Sequence, residues 1–84
     1  MIIYENEGPV DTGFTGSQQP IIQNLGPGDI HFNTSENNIV TNGIYLPAGA
    51  VYEFPATLVE GANKLWIQVC YAGVSADVRI VNVG

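Results

Sequence analysis

The sequence contains few basic residues, and this scarcity limits the classes of partner that the protein can bind. Two of its 84 residues are Lys or Arg and eight are Asp or Glu, giving a formal net charge of −6 at pH 7. Nucleic-acid binding needs several Lys or Arg side chains to displace phosphate counterions, and anionic membrane surfaces attract basic segments in the same way. We therefore expect neither a nucleic acid nor a membrane among the partners.

The residues that form disulfides and structural metal sites in small domains are also scarce. Cys70 is the one cysteine and His31 the one histidine. An internal disulfide is therefore excluded, and a Cys/His cluster for a structural metal is missing. Small domains without disulfides or metal sites often gain stability by associating with other subunits. These absences favour an oligomer or a protein that docks on a partner.

Long apolar runs and targeting signals are missing as well. No apolar stretch approaches the roughly 20 residues of a transmembrane helix. The segment Met1–Glu5 lacks the basic and apolar regions of a signal peptide. We expect a single small domain made in a cytoplasm, with Cys70 reduced.

From Ile21 onward, apolar and polar residues alternate, and turn signals separate the alternating stretches. In the stretch 29–33 this places Ile30 and Phe32 on an inner face and His31 on the solvent face. The stretch 50–54 alternates in the same way. A period of two with frequent turns predicts an all-β fold, a small antiparallel β-sandwich or barrel over residues 21–84.

One β-hairpin is predicted in the middle of the chain. The runs Ile39–Thr41 and Ile44–Leu46 are joined by Asn42-Gly43. Asn-Gly tolerates the positive φ angles of a type I′ turn, which suits two-residue hairpins.

A second hairpin is predicted at the end of the sequence, where Lys64–Tyr71 and Ala76–Val83 flank the small residues Ala72–Ser75. Both runs are rich in β-branched and aromatic residues. We expect Trp66 to anchor the core or an interface and Ile80 to point inward, so that this hairpin is the spine of the fold.

Residues 1–20 differ in composition from the rest of the chain. Gly, Thr, Ser, Gln and Pro dominate the stretch after Tyr4. We predict a flexible N-terminal arm, either a disordered terminus or a segment that becomes ordered on a partner. In the second case Ile2, Ile3 and Tyr4 would add a strand to the partner and Phe14 would fill a pocket.

No catalytic, cofactor or metal site is predicted. No serine lies in a Gly-x-Ser-x-Gly motif, and the oxygen donors of the stretch 36–38 lack the spacing of a calcium loop. His31 is expected to be a solvated surface residue. Cys70 has no basic neighbour in the sequence, so we expect a packing residue rather than a nucleophile.

The order of turns and strands resembles a known family. The segments are Asn24–Ile30, Asn42–Ala50, Lys64–Ile67 and Ala76–Ile80. Over residues 21–84 this pattern is similar to small β-sandwich structural proteins of tailed bacteriophages, in particular head decoration (cement) proteins. The pattern is architectural, so the resemblance transfers no site residue.

The resemblance implies a non-enzymatic virion protein, made in the host cytoplasm, that binds the outer capsid surface as a homotrimer. Its partner would be the major capsid protein, and its effect would be to stabilise the shell. The alternative is a receptor- or carbohydrate-binding β-module of a phage tail or fibre, because such modules use similar turns and strands.

Overall fold

A computed structural model describes residues 1–15, 19–54 and 64–82 of the chain. Most of these residues lie in β-strands, and the prediction of an all-β fold in one small domain is confirmed. The elements in chain order are β1 (Ile2–Tyr4), a 3-10 turn (Glu5–Glu7), β2 (Val10–Thr15), β3 (Pro20–Asn33), α1 (Ile39–Asn42), β4 (Ile44–Leu46), β5 (Val51–Glu53) and β6 (Lys64–Asn82).

Two long antiparallel strands, β3 and β6, form the centre of one nearly closed sheet. Along its edge away from β3, β6 pairs with β2 near the start of β6 and with β1 near its end. Along its edge away from β6, β3 pairs with β5 near the start of β3 and with β4 near its end. Each long strand therefore holds two short ones, and all the pairs are antiparallel.

The sheet divides into two halves at the middle of β3 and β6. Here the pairing shifts register several times, between the pair Asn24–Val78 and the pair Ile30–Val69. Such bulges bend and twist strands. We call β1, β5, residues 20–25 of β3 and residues 74–82 of β6 the β5 half-sheet. The β4 half-sheet consists of β2, β4, residues 29–33 of β3 and residues 64–70 of β6.

The two half-sheets face each other across one hydrophobic core. The Phe32 ring, on the β4 half-sheet, lies 5.1 Å from the Tyr52 ring and 5.8 Å from the Phe54 ring between centroids. Ala50 also packs on this core, which confirms the predicted inner face of the stretch 50–54. The fully or nearly buried members of the core are Ile3, Ile22, Ile30, Phe32, Leu46, Leu65, Ile67, Val69, Ala76 and Val78.

A buried asparagine holds the bend of β3. The amide nitrogen of Asn24 donates to the carbonyl oxygens of Gly28 and Leu46, each at 3.0 Å, and its Oδ1 accepts from the Gly26 N–H at 2.9 Å. Asn24 is completely buried. Buried polar groups cost free energy unless they are hydrogen-bonded, so a side chain with donors and an acceptor suits this position.

Close approach of the backbones explains a glycine in the same bend. A Cβ atom at Gly28 would lie 2.7 Å from the Ser75 carbonyl oxygen and 3.1 Å from a methyl group of Val69. A side chain here would push β3 away from β6, so the bend requires a residue without one.

The predicted hairpin Lys64–Val83 is wrong, because β6 continues as one strand from Lys64 to Asn82. The break at 72–75 is a bend in this strand, where the inward-facing residues change from odd numbers to even numbers. Leu65 and Ile67 are buried before the bend, and Val78 is buried after it. Ile80 packs against the core as expected, whereas the half-buried Trp66 lies on the outer face.

The predicted hairpin at Asn42-Gly43 is also wrong. Ile39–Asn42 forms one helical turn, and Ile44–Leu46 pairs with β3 instead. The helical turn buries the side chain of Ile39. Gly43 has φ −82°, outside the left-handed region, and a Cβ atom there would lie 2.8 Å from the Phe32 carbonyl oxygen. Close packing, not turn geometry, requires this glycine.

Residues 2–4 and 10–15 are strands of the sheet, so the predicted flexible arm over 1–20 is wrong for this part. Ile2–Tyr4 pairs with residues 75–77 of β6, and Val10–Thr15 pairs with residues 64–67. Thr12 Oγ1 donates to the Leu65 carbonyl oxygen at 2.8 Å. Ile2–Tyr4, which was expected from the sequence to add a strand to a partner, instead adds a strand to the chain's own sheet. The sequence also predicts a turn over residues 60–63 and is ambiguous over residues 57–59, and both stretches lie outside the described residues.

Candidate functional site

The four residues predicted to bind a partner do not form one surface. Ile3 is 1% exposed in the core, and Phe14 packs against the core from β2. Ile2 and Tyr4 are exposed on the outer side of β1, at 60% and 50%. Alternation along β1 separates them from Ile3. Two of the four residues are therefore available for contact, and Ile3 and Phe14 are structural.

The outer side of the β5 half-sheet carries a group of aliphatic side chains, which we call the aliphatic face; all are exposed except Ile21, which is half-buried. Ile21 pairs directly with Val81, and Gln23 pairs with Val51 on one side and with Arg79 on the other. Every second residue of these strands points outward, so the side chains share one surface. The aliphatic face consists of Ile2, Ile21, Leu25, Val51 and Val81.

Charged side chains lie among the aliphatic ones. Arg79 is exposed on β6, and Asp77 and Glu53 point outward from neighbouring positions of the half-sheet. Among the described residues, the ion pairs join the N-terminus to Asp77 and Lys64 to Asp11, and none involves Arg79. Arginine surrounded by apolar side chains is typical of protein–protein interfaces. The Arg79 guanidinium is therefore available to a partner.

A shallow cleft opens beside the aliphatic face. It has a volume of about 250 Å³ and is lined by Tyr4, Glu5, Asn6 and Val74. Val74, at the bend of β6, is 72% exposed. The cleft extends the apolar surface past the end of β1, where a protruding partner side chain would fit.

The outer side of the β4 half-sheet is more polar and carries aromatic rings. Tyr45 pairs with His31, which pairs with Gln68, and Asn33 pairs with Trp66 in the next row. Tyr45 is 47% exposed, whereas Trp66 is half-buried. The ammonium group of Lys64 lies 5.9 Å from the centre of the Trp66 ring and 3.2 Å from an Asp11 carboxylate oxygen.

His31 is not the solvated residue that the sequence predicted. It lies on the outer face, as alternation requires, but only 6% of it is exposed. Its Nδ1 lies 2.9 Å from Cys70 Sγ on β6, and its ring is 5.3 Å from the Tyr45 ring on β4. Both neighbouring strands supply side chains that cover it. No local signal shows this burial, because His31 and Cys70 are 39 residues apart in the sequence.

The electrostatics of this cluster keep the imidazole neutral. Burial lowers the pKa of His31, although the nearby Asp29 carboxylate opposes the shift. Asp29 Oδ2 accepts from the Tyr45 hydroxyl at 2.6 Å, and Oδ1 accepts from the Ala48 N–H at 3.0 Å. These two hydrogen bonds lower the pKa of Asp29. From the sequence, Cys70 was expected to be a packing residue because no basic residue is near it in the chain. The fold places the imidazole of His31 beside its thiol.

The other sequence candidates are separate from this cluster. Glu36, Asn37 and Asn38 lie exposed in the loop after β3. Ser35 accepts a hydrogen bond from the Asn37 N–H, and Ser75 lies opposite Tyr4 in the sheet. Over residues 1–15, 19–54 and 64–82, no three His, Cys, Asp or Glu side chains converge as metal ligands.

Comparison with known protein families, curated proteins and solved structures finds no match to this chain. Within the described part of the chain, no helix has the length and apolar character needed to cross a membrane.

Proposed function

We propose that this chain is a non-enzymatic virion structural protein that decorates the outer head surface of a tailed bacteriophage and stabilises the shell. The observation that carries the proposal is the aliphatic face, a largely exposed apolar surface arranged around Arg79 on a small, nearly closed β-sheet. The resemblance of residues 21–84 to head decoration proteins supports the same role.

The size of the molecule suits a contact with a protein lattice. Its principal extents are 33, 23 and 18 Å. The area of one broad side is therefore comparable to the ~800 Å² that each partner contributes to a standard interface. The aliphatic residues supply the apolar centre of such an interface, and Arg79 supplies a charged hydrogen-bond donor. The partner in this proposal is the major capsid protein.

The charge of the chain favours the outside of the shell. A net charge of −6 is repelled by packaged DNA, so an inner position is unfavourable. On the outer surface the same charge opposes aggregation of the free protein. Binding at the junctions between capsid subunits would stabilise the shell by bridging neighbours.

A matched pair of substitutions tests the docking surface. Val51→Asp places a carboxylate on the aliphatic face, where Val51 is 54% exposed, and Ile44→Asp places one on β4, where Ile44 is 44% exposed. Purified chains are mixed with capsids that lack the decoration protein, and co-sedimentation and capsid heat stability are measured. We expect Val51→Asp to abolish binding and Ile44→Asp to preserve it. Equal binding by Val51→Asp and the parent would exclude this face.

A homotrimer is part of the proposal. Three linked copies contact three lattice sites at once, so weak individual contacts give strong overall binding. Sedimentation equilibrium should give three times the mass of the 9.0 kDa chain. A monomer at the concentrations that saturate capsids would contradict this part of the proposal.

A carbohydrate-binding module of a tail or fibre is the second candidate, and the β4 half-sheet favours it. Tyr45 and Trp66 share its outer face with the amides of Asn33 and Gln68, and sugars bind to aromatic rings flanked by hydrogen-bonding side chains. Trp66 is the one tryptophan, so its fluorescence reports on this face. Saturable changes on titration with host surface polysaccharide, lost in Tyr45→Ala, would favour this candidate over capsid decoration.

A further inference from the structure

Cys70 and His31 form a pair of reactive groups that the docking surface does not use. Nδ1 of His31 lies 2.9 Å from Sγ of Cys70, within reach of a proton transfer between them. The two residues sit on adjacent strands of the β4 half-sheet, on the opposite side of the molecule from the aliphatic face. The pairing of β3 with β6 fixes both backbones, so the pair is held in place by the centre of the sheet.

The surroundings favour an imidazole that accepts a proton. His31 is 6% exposed, and its burial favours the neutral ring, in which one of the two nitrogens is able to accept a proton. The Asp29 carboxylate, also on β3, favours the imidazolium once it forms. From β4, the Tyr45 hydroxyl holds that carboxylate at 2.6 Å. From β6, Cys70 is the titratable group that faces the ring among the side chains that the structure describes.

The thiol itself is both oriented and accessible. The Cys70 thiol donates to the main-chain carbonyl oxygen of Asp29 at 3.4 Å, and its Sγ also lies 2.9 Å from Nδ1 of the imidazole. Cys70 is only half-buried, unlike the core residue Val69 beside it. A partly exposed cysteine whose sulfur atom lies beside a base is the arrangement that activated cysteines use.

We propose that Cys70 is a nucleophilic thiol with His31 as its general base, and that it is a site of thiol–disulfide exchange with small disulfides. The Sγ proton passes to Nδ1 of His31 as the sulfur attacks one sulfur atom of the disulfide. The S–S bond of the reagent breaks, and the departing thiolate takes the proton from the imidazolium. The products are a mixed disulfide at Cys70 and one free thiol, so the disulfide is the oxidant and no other is needed.

The reaction of the folded chain with an aromatic disulfide, 5,5′-dithiobis(2-nitrobenzoic acid), tests this proposal. Cys70 is the one cysteine, so the released thiolate reports on this site alone. We expect the rate at pH 7 to exceed that of the chain unfolded in denaturant by at least about tenfold, a lower bound below the roughly 10²–10⁴-fold typical of general base catalysis. We also expect the pH profile of the folded chain to rise well below the ordinary thiol pKa of about 8.5.

Two variants separate base catalysis from simple exposure. His31→Asn and His31→Gln keep a polar side chain beside the sulfur but cannot accept the proton, so each should lose the tenfold advantage and return the pH profile to the ordinary thiol value. Circular dichroism identifies a variant that fails to fold. In that case the pH profile of the parent alone decides whether the thiol is activated. A folded parent that reacts no faster than the unfolded chain, or folded variants that react as fast as the parent, would overturn the proposal.

Discussion

At the scale of single residues, Asn24 shows how one buried polar side chain fixes the shape of the sheet. Its amide contacts three backbone groups of the bend and of β4. The Asn24 N–H and carbonyl also pair with Ala50 and Gly49. One residue therefore connects the bend of β3 to the segment that joins β4 and β5.

Asn24→Ala should lower the free energy of unfolding by at least about 2 kcal/mol, because it leaves buried carbonyl and N–H groups without partners. Urea denaturation followed by circular dichroism measures the change. Asn37→Ala is the control, because Asn37 is exposed and its replacement should change stability by no more than about 0.5 kcal/mol. Equal stabilities of the two variants would show that water replaces the lost hydrogen bonds.

Neighbouring residues of β6 test which of its faces is buried. Ile67 is fully buried, so Ile67→Ala should cost about 2–5 kcal/mol, as truncations in protein cores do. Trp66→Ala removes a larger side chain from the half-buried outer face and should cost less. The same urea titration compares the two variants. A greater loss for Trp66→Ala would contradict the placement of Trp66 on the outer face and favour the core, one of the two positions that the sequence pattern predicted.

At the scale of secondary structure, β1 is a strand of the sheet rather than part of an arm. The Ile2–Tyr4 segment has one buried residue between two exposed ones. The backbone of Met1 also exchanges hydrogen bonds with Val78, at 2.6 Å and 2.8 Å. Contacts with β6 therefore hold this segment from its first residue onward.

Aspartate substitutions at adjacent positions of β1 distinguish a strand from a flexible arm. Ile3→Asp would bury a carboxylate in the core and should unfold the domain or lower its melting temperature by many degrees. Ile2→Asp adds the same charge on the exposed side and should leave the melting temperature nearly unchanged. Differential scanning calorimetry checks both. Similar melting temperatures would mean that β1 leaves the sheet in solution.

Local pattern predicts strands in this chain better than it predicts their partners. Alternation correctly placed Ile30 and Phe32 inside and identified the inner face of the stretch 50–54. It could not show that β1 and β2 pair with β6, because those contacts join residues far apart in the sequence. Small residues at 72–75 indicate a turn and a bend equally well, and only the register with β3 distinguishes them.

The candidate site was less predictable than the fold for the same reason. Exposure of Ile2 and Tyr4 follows from alternation once β1 is known, but the aliphatic face brings together residues of four strands. The burial of His31 depends on Cys70 and Tyr45 from two other strands. Neither juxtaposition has a signature in the local sequence.

At the scale of the whole molecule, stability should depend on pH in two separate ranges. Burial lowers the pKa of His31 in the folded state below its ordinary value of 6.5. The unfolded chain then binds a proton more readily, so stability falls as the pH decreases from about 6.5 until the folded state is also protonated.

The Asp29 pKa is lowered by the Tyr45 and Ala48 hydrogen bonds, and the Asp11 pKa chiefly by the Gly13 N–H. Their contribution is lost as the pH falls below 3.8.

Urea midpoints measured between pH 8 and pH 3 test this assignment. The parent should lose stability first near pH 6.5 and again below about pH 4, close to the ordinary Asp pKa. His31→Gln should remove the upper step and retain the lower one, because it leaves both aspartates in place. An upper step of unchanged size in that variant would assign it to a group other than His31.

The position of β6 in the sequence has a consequence for how the protein is made. β6 follows every other strand in the chain, yet it is the hydrogen-bonding partner of β1, β2 and the whole of β3. While a ribosome is still extending the chain, the first three strands lack the neighbour that covers their apolar side chains. The sheet can therefore close only after residues 64–82 have left the exit tunnel. Formation of such distant pairs is slow, and the net charge of −6 opposes association of the chain during this interval.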